Sequence, residues 1–180
     1  ELSAGDLLLI TRNNYFWSKE YPDLEFIANG DVAELVRIKR YHDMYGLRFV
    51  DVTLRFLDYD CEIDTRLLID SLYTETPAAA EQLAKKLFAA VEEDYLEIGN
   101  RRTRYKAMMQ NEYLNALQVK FGYAVTCHKA QGGQWSEVFI DQGGLTPEQI
   151  DTDYLRWLYT ACTRAEKNLF FINFSDQFFD

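Results

Sequence analysis

Three short stretches of alternating side chains follow one another between Val32 and Leu68, and they constrain the fold more than any other feature. Val36 and Ile38 alternate with Arg37 and Lys39. Val50, Val52, Leu54 and Phe56 repeat at period two. Cys61 and Ile63 keep the rhythm between Tyr59 and Leu68. Period two places alternate side chains on opposite faces of a strand. Turn-prone residues punctuate the runs at Asn29-Gly30-Asp31, at Asp43 to Gly46 and at Asp58. Asn-Gly takes positive φ at little cost. Three or more short antiparallel strands in about 40 residues predict a small barrel or meander.

A helical stretch follows. Thr76-Pro77 supplies a capping hydroxyl and a Pro at the first helical position. Leu83, Leu87, Val91 and Tyr95 then recur every four residues and give one apolar face. Gly99-Asn100 stops the helix, and Arg101 to Gln110 predicts a second, more basic one.

The flanks read differently. Asp6 to Thr11 is an apolar run suited to a buried strand, ending at Arg12-Asn13-Asn14. Asn13 and Asn14 read as turn chemistry. Tyr123 to Thr126 and Glu137 to Asp141 are strand candidates. Thr146-Pro147-Glu148-Gln149 fits a capping box. A helix through Leu155, Leu158 and Cys162 and a buried strand at Leu169 to Ile172 complete the chain. Strand, loop, strand, helix, strand is the rhythm of a parallel α/β sheet.

Composition narrows the classes. The chain has 180 residues, 48% of them hydrophobic, enough to bury a real core. No apolar run approaches the roughly 20 residues of a membrane span. Glu1 to Asp6 lacks the start of a signal peptide and has no initiator Met, which reads as a piece of a longer protein. Cys61, Cys127 and Cys162 are an odd set at no metal-ligand spacing, so reduced thiols of a cytoplasmic protein are expected. The net charge of −10 argues against nucleic acid as a partner. A groove is local, however, and Arg101, Arg102, Arg104 and Lys106 form a basic run around Tyr105. That run reads first as a solvated helix face and second as a track for a nucleic-acid backbone.

Two clusters could carry chemistry. Thr126-Cys127-His128-Lys129-Ala130-Gln131-Gly132-Gly133-Gln134-Trp135 combines donors suited to phosphate oxygens with a glycine pair that lets backbone approach a ligand. It follows a candidate strand, and ligands gather at the carboxyl ends of strands in open α/β sheets. Tyr159-Thr160-Ala161-Cys162-Thr163-Arg164-Ala165 ends a predicted helix with an arginine placed to fork a phosphate. Trp135 and Trp157 read as core rather than stacking platforms.

These strings resemble a known family. TCHKAQGGQW looks like motif V of superfamily-one helicases, and LYTACTRAEKNLFFI looks like their motif VI. GDLLLITRNNY followed by FIANGDVAELV resembles the RecD-like branch. The resemblance implies a RecA-like second motor domain, α/β, over residues 1–24 and 112–180. It implies an inserted SH3-like β-barrel at 25–75 and a helical insertion at 76–111. It covers both ends of the chain well and residues 55–112 poorly.

By resemblance, Thr126 and His128 contact a DNA backbone, Lys129 and Gln131 support that loop, and Gly133 and Gln134 face a nucleotide. Many relatives carry Glu where Gln134 stands. Arg164 corresponds to the arginine finger that reaches the γ-phosphate, so it is both the catalytic and a nucleotide-binding candidate. The implied ligands are ATP with magnesium and single-stranded DNA. The implied partners are an N-terminal motor domain and, in an exonuclease complex, nuclease subunits. Translocation from 5′ to 3′ is implied too. No G-x-x-x-x-G-K-[ST] string and no strand ending in paired acids occurs, so the chain alone is expected to be inactive. The rival readings are a catalytically lost module that docks DNA or protein, and an RNA helicase of the same superfamily.

Overall fold

The computed structural model describes residues 2–21, 24–58, 61–145 and 149–179. It contains two compact units, Glu1–Tyr123 and Ala124–Asp180.

The first unit is built on the alternating stretches. β1 (Leu7–Ile10), β2 (Val32–Met44), β3 (Leu47–Phe56), β4 (Cys61–Leu68) and β5 (Leu117–Phe121) form a closed barrel in that order. Neighbours from β1 to β4 pair antiparallel. β5 closes the ring, antiparallel to β1 and parallel to β4. The period-two residues Val50, Val52, Leu54 and Phe56 are fully buried in one cluster with Leu8, Ile10, Leu35, Ile63 and Val119. β2 carries register shifts between Leu35 and Arg37 and between Ile38 and Arg40. The first shift moves the inward set from Ala33 and Leu35 to Ile38, which is why Val36 and Ile38 alternate in the opposite phase to Ala33 and Leu35. Tyr45 and Gly46 make the β2–β3 turn with φ of +57° and +63°, the paired positive φ that matches strand twist in a two-residue hairpin.

Outward-facing Phe49 and Leu68 would be exposed on a bare barrel. Two helices cover them. α1 (Pro77–Glu93) buries Leu87 and Val91, and α2 (Arg101–Met108) buries Met108, in one cluster with Leu47, Phe49 and Leu68. Thr76 caps α1 by accepting from the Ala79 N–H, and Asn100 caps α2 by accepting from Arg102 and Thr103 N–H.

Two expectations need correction. Leu7–Ile10, expected in the motor sheet, pairs with β2 and β5 inside the barrel. Leu117–Phe121 also joins it, so the barrel extends beyond residues 25–75 on both sides. The run Tyr123–Thr126 is not a strand: the ladder ends at Phe121, opposite Leu8 near the start of β1.

In the second unit, β6 (Trp135–Asp141) and β7 (Ala165–Ile172) pair in parallel, from Trp135 opposite Ala165 to Asp141 opposite Ile172. α3 (Thr152–Cys162) is the intervening helix. Its cap is Asp151, which accepts from the Tyr154 N–H at 2.9 Å. The capping box expected at Thr146 to Gln149 falls largely on residues outside the described set. Ile140, Tyr154 and Ala161 are the buried apolar residues of this unit. The parallel pairing follows the α/β rhythm of the sequence. Among the described residues, two strands and α3 make up that layer.

Candidate functional site

The glycine loop and the arginine meet at the heads of the two parallel strands. From Thr126 to Gly133 the backbone runs in consecutive turns. The Thr126 carbonyl accepts from the N–H groups of Lys129 and Ala130, and the Ala130 carbonyl accepts from Gly133. Gly132 has φ of +89°, a conformation that strains any L side chain. Gly133 is constrained by space instead. A Cβ there would lie 2.3 Å from Cη2 of Trp135, so the indole ring rests on bare backbone. Trp135, expected in the core, is half-exposed because its ring packs on this loop.

Arg164 ties the loop to the helix end. Its Nη1 donates to the Gly133 carbonyl at 3.1 Å and its Nε to the Thr160 carbonyl at 3.1 Å. Its Nη2 donates to Thr163 Oγ1 at 3.0 Å. Thr163 Oγ1 itself donates to the Thr160 carbonyl, so the fork stands in a braced collar. The Arg164 carbonyl accepts from the Trp135 N–H at 2.9 Å, locking the starts of β6 and β7 together. A guanidinium carries five N–H donors; three are used, and two remain for an anion.

The side chains of Thr126, His128, Lys129, Gln131 and Gln134 are exposed. Sequence reading placed them at the carboxyl end of a strand. In the structure the loop instead precedes β6 and lies at the amino end of the parallel pair, because Tyr123–Thr126 is irregular.

Sequence reading missed one wall of the site. Asp153, Arg156, Trp157 and Thr160 lie on one face of α3 and line a cavity of about 360 Å³ with Cys127, His128 and Gln131. Their spacing of i, i+3, i+4 and i+7 was the available signal. Cys127 Sγ donates to the Trp157 carbonyl at 3.6 Å. Arg156 pairs with Asp153 at 2.9 Å, but both are strongly exposed. Such a pair contributes little and can be exchanged for an anion. Burial raises the Cys162 thiol above its ordinary pKa, so it stays protonated at neutral pH. The three cysteines are unpaired thiols.

Among the described residues no three His, Cys, Asp or Glu side chains converge to hold a metal. No helix of the described residues is long and apolar enough to cross a membrane.

The UvrD-like helicase C-terminal domain family matches residues 121–172. That stretch holds the glycine loop, α3 and Arg164, and excludes β1 to β4. A 55-residue stretch is 33% identical to R530, an uncharacterized protein of Acanthamoeba polyphaga mimivirus. The match covers 31% of this chain and 11% of that protein.

Proposed function

We propose that this chain is the C-terminal part of an ATP-dependent DNA helicase. In this reading it supplies a nucleic-acid-contacting loop and an arginine finger to an ATP site completed by an N-terminal motor domain. The supporting observation is the Arg164 to Gly133 hydrogen bond, which joins the two helicase-like strings at one point. The family match over residues 121–172 supports the same assignment.

In this mechanism Thr126, His128 and Lys129 bind phosphates of a single strand. Their hydroxyl, imidazole and ammonium groups are exposed and suit phosphate oxygens. Gly133 and Gln134 face the nucleotide, Gln134 through an amide that both donates and accepts. Water attacks the γ-phosphorus, the bond to the β-bridging oxygen breaks, and ADP and phosphate leave. Arg164 turns its two uncommitted N–H groups to the γ-phosphoryl oxygens and stabilises the charge there. A phosphate drawn to those N–H groups pulls the guanidinium, and with it the Gly133 carbonyl bonded to Nη1. Nucleotide state thereby moves the loop that holds the strand.

Arg164→Ala in the intact protein should lower DNA-stimulated ATP hydrolysis by about a thousandfold and leave DNA binding largely intact. Unchanged turnover would refute the finger. The 180-residue chain alone should hydrolyse no ATP.

A second reading, a binding module on a helicase scaffold, draws on the same collar. Arg164 is already satisfied three times by its own chain, as a structural arginine would be. An intact protein that binds DNA but lacks ATPase activity would favour it.

A further inference from the structure

The barrel unit holds a groove whose chemistry stands apart from the rest of the chain. It encloses about 420 Å³ at the open end of β1, beside α1 and α2. Tyr15, Phe16, Phe88 and Tyr105 supply aromatic rings to its lining, and Arg12 and Lys19 supply positive charge. The chain has 29 acidic residues, yet none lines this groove. The other polar lining residues are all amides. A second hollow shares Arg12 and Phe88 and extends the groove along α1 to Lys85, whose carboxylate neighbour Glu81 it already neutralises at 2.6 Å.

Tyr15 and Tyr105 present their rings, whereas Phe16 and Phe88 are half-buried. Tyr15 is 60% exposed and stacks on Phe26 at 5.1 Å, which fixes its plane. Tyr105 is 53% exposed and leans on Phe88. Lys19 lies 4.9 Å over the Phe16 ring. The wall is rigid. Asn14 accepts from the Phe16 and Trp17 N–H groups, and it donates to the Asn115 carbonyl at 2.8 Å. On α2, Arg101 stands one turn before Tyr105 on the same stripe. Arg101 and Arg102 have no carboxylate partner among the described residues.

We propose that this groove binds single-stranded nucleic acid. Bases stack on Tyr15, Phe16 and Tyr105 while Arg12, Lys19 and Arg101 take phosphates. Stacking on exposed rings with flanking cations is the sequence-tolerant way to hold a single strand. Asn14 and Asn115 are held by the fold, which leaves Asn13, Gln110 and Gln118 as neutral groups to meet base edges. Charge selects this occupant: the main groove is cationic and lined by no carboxylate, and Glu81, on its extension, is paired with Lys85. The site does not depend on the reading of the C-terminal unit. It gives the helical segment at 76–111 a task, since α1 and α2 form one side of it.

The test uses the 180-residue chain and 20-mers of thymidine and uridine nucleotides carrying photoreactive halogenated bases. Fluorescence anisotropy should show binding to both. Its log affinity should fall with log salt at a slope of about −2, for three phosphates on a single strand. Tyr105→Ala and the double variant Arg12→Glu/Lys19→Glu should each weaken binding by about tenfold. All these side chains are exposed, so the fold should persist, checked by circular dichroism. Photo-adducts should map to Tyr15, Phe16 or Tyr105, and should remain in Lys129→Glu, which disables only the loop of the other unit. Adducts confined to residues 126–135, or full affinity in Tyr105→Ala, would overturn the groove while leaving the helicase reading standing. Binding of a polyglutamate peptide that the same variants abolish, with no oligonucleotide binding, would assign the groove to a protein partner instead.

Discussion

The two units bury their apolar residues very differently. In the barrel unit Phe49, Phe56, Leu54 and Ile63 are completely buried. In the C-terminal unit Phe139 is 62% exposed, Tyr159 is 73% exposed, and Phe139 stacks on Phe170, itself 43% exposed. A parallel sheet is normally covered on both faces, and two strands rarely hold together unaided. The barrel secures itself by non-local pairing and a closed interior. The C-terminal unit carries the family match and the arginine collar, yet it rests on a thin core. The family match and the self-contained core fall in different units of the chain.

The sharpest way to break this contrast is hydrogen exchange. Amides in β3 should exchange about a thousandfold more slowly than those in β6 and β7, because local opening follows local burial. Equal protection across both units would show one cooperative fold. Next in size comes a matched pair of truncations. Phe49→Ala should cost about 3–5 kcal/mol in chemical denaturation, and Phe139→Ala about 0.5 kcal/mol or less. Comparable losses would mean that the exposed Phe139 face is covered in solution.

Acid should also act on the barrel through Asp51. Burial pushes the Asp51 carboxyl up, but hydrogen bonds from Arg66 at 2.7 Å and His42 at 2.6 Å outweigh it, and the net pKa is below the ordinary value. A depressed folded-state pKa means stability that is fully present above about pH 4, the unfolded value, and lost as pH falls through the folded one. Asp51→Asn should flatten the acid limb of the barrel's melting curve and leave the C-terminal unit unchanged. The smallest effect concerns the caps. Thr76→Ala and Asp151→Ala should each cost about 1 kcal/mol, the first read in barrel unfolding and the second in exchange from α3.

Much of the barrel was legible because its signal is local. The alternation from Val50 to Phe56 and the stripe from Leu83 to Val91 state their own periods and are placed as read, but α1 ends at Glu93, so Tyr95 and the expected stop at Gly99 lie beyond it. Closure was not legible. Leu8 lies opposite Phe121 across the ring, and no local pattern announces a partner that far away. The same blindness put β1 in the wrong sheet. In the C-terminal unit the residues of the site were visible as types, but their arrangement was not. Arg164 spends two of its donors on the carbonyls of Gly133 and Thr160, and every residue carries a carbonyl. Trp135 looked like core because an indole usually is; its ring is held outside by a neighbour that lacks a side chain.

Closure of the barrel has a further consequence for how copies of this chain meet. Where the ring's longer strands outrun their second partner, at Arg37–Met44 of β2 and Cys61–Thr65 of β4, they carry charges such as Lys39, Arg40, Glu62 and Asp64, which discourage another strand from growing there. β6 and β7 each keep an outer edge without a strand partner among the described residues. Those edges run past bare aromatic side chains. Any self-association of concentrated material should therefore begin there, and a charged residue or proline set into β7 should raise solubility without touching the barrel.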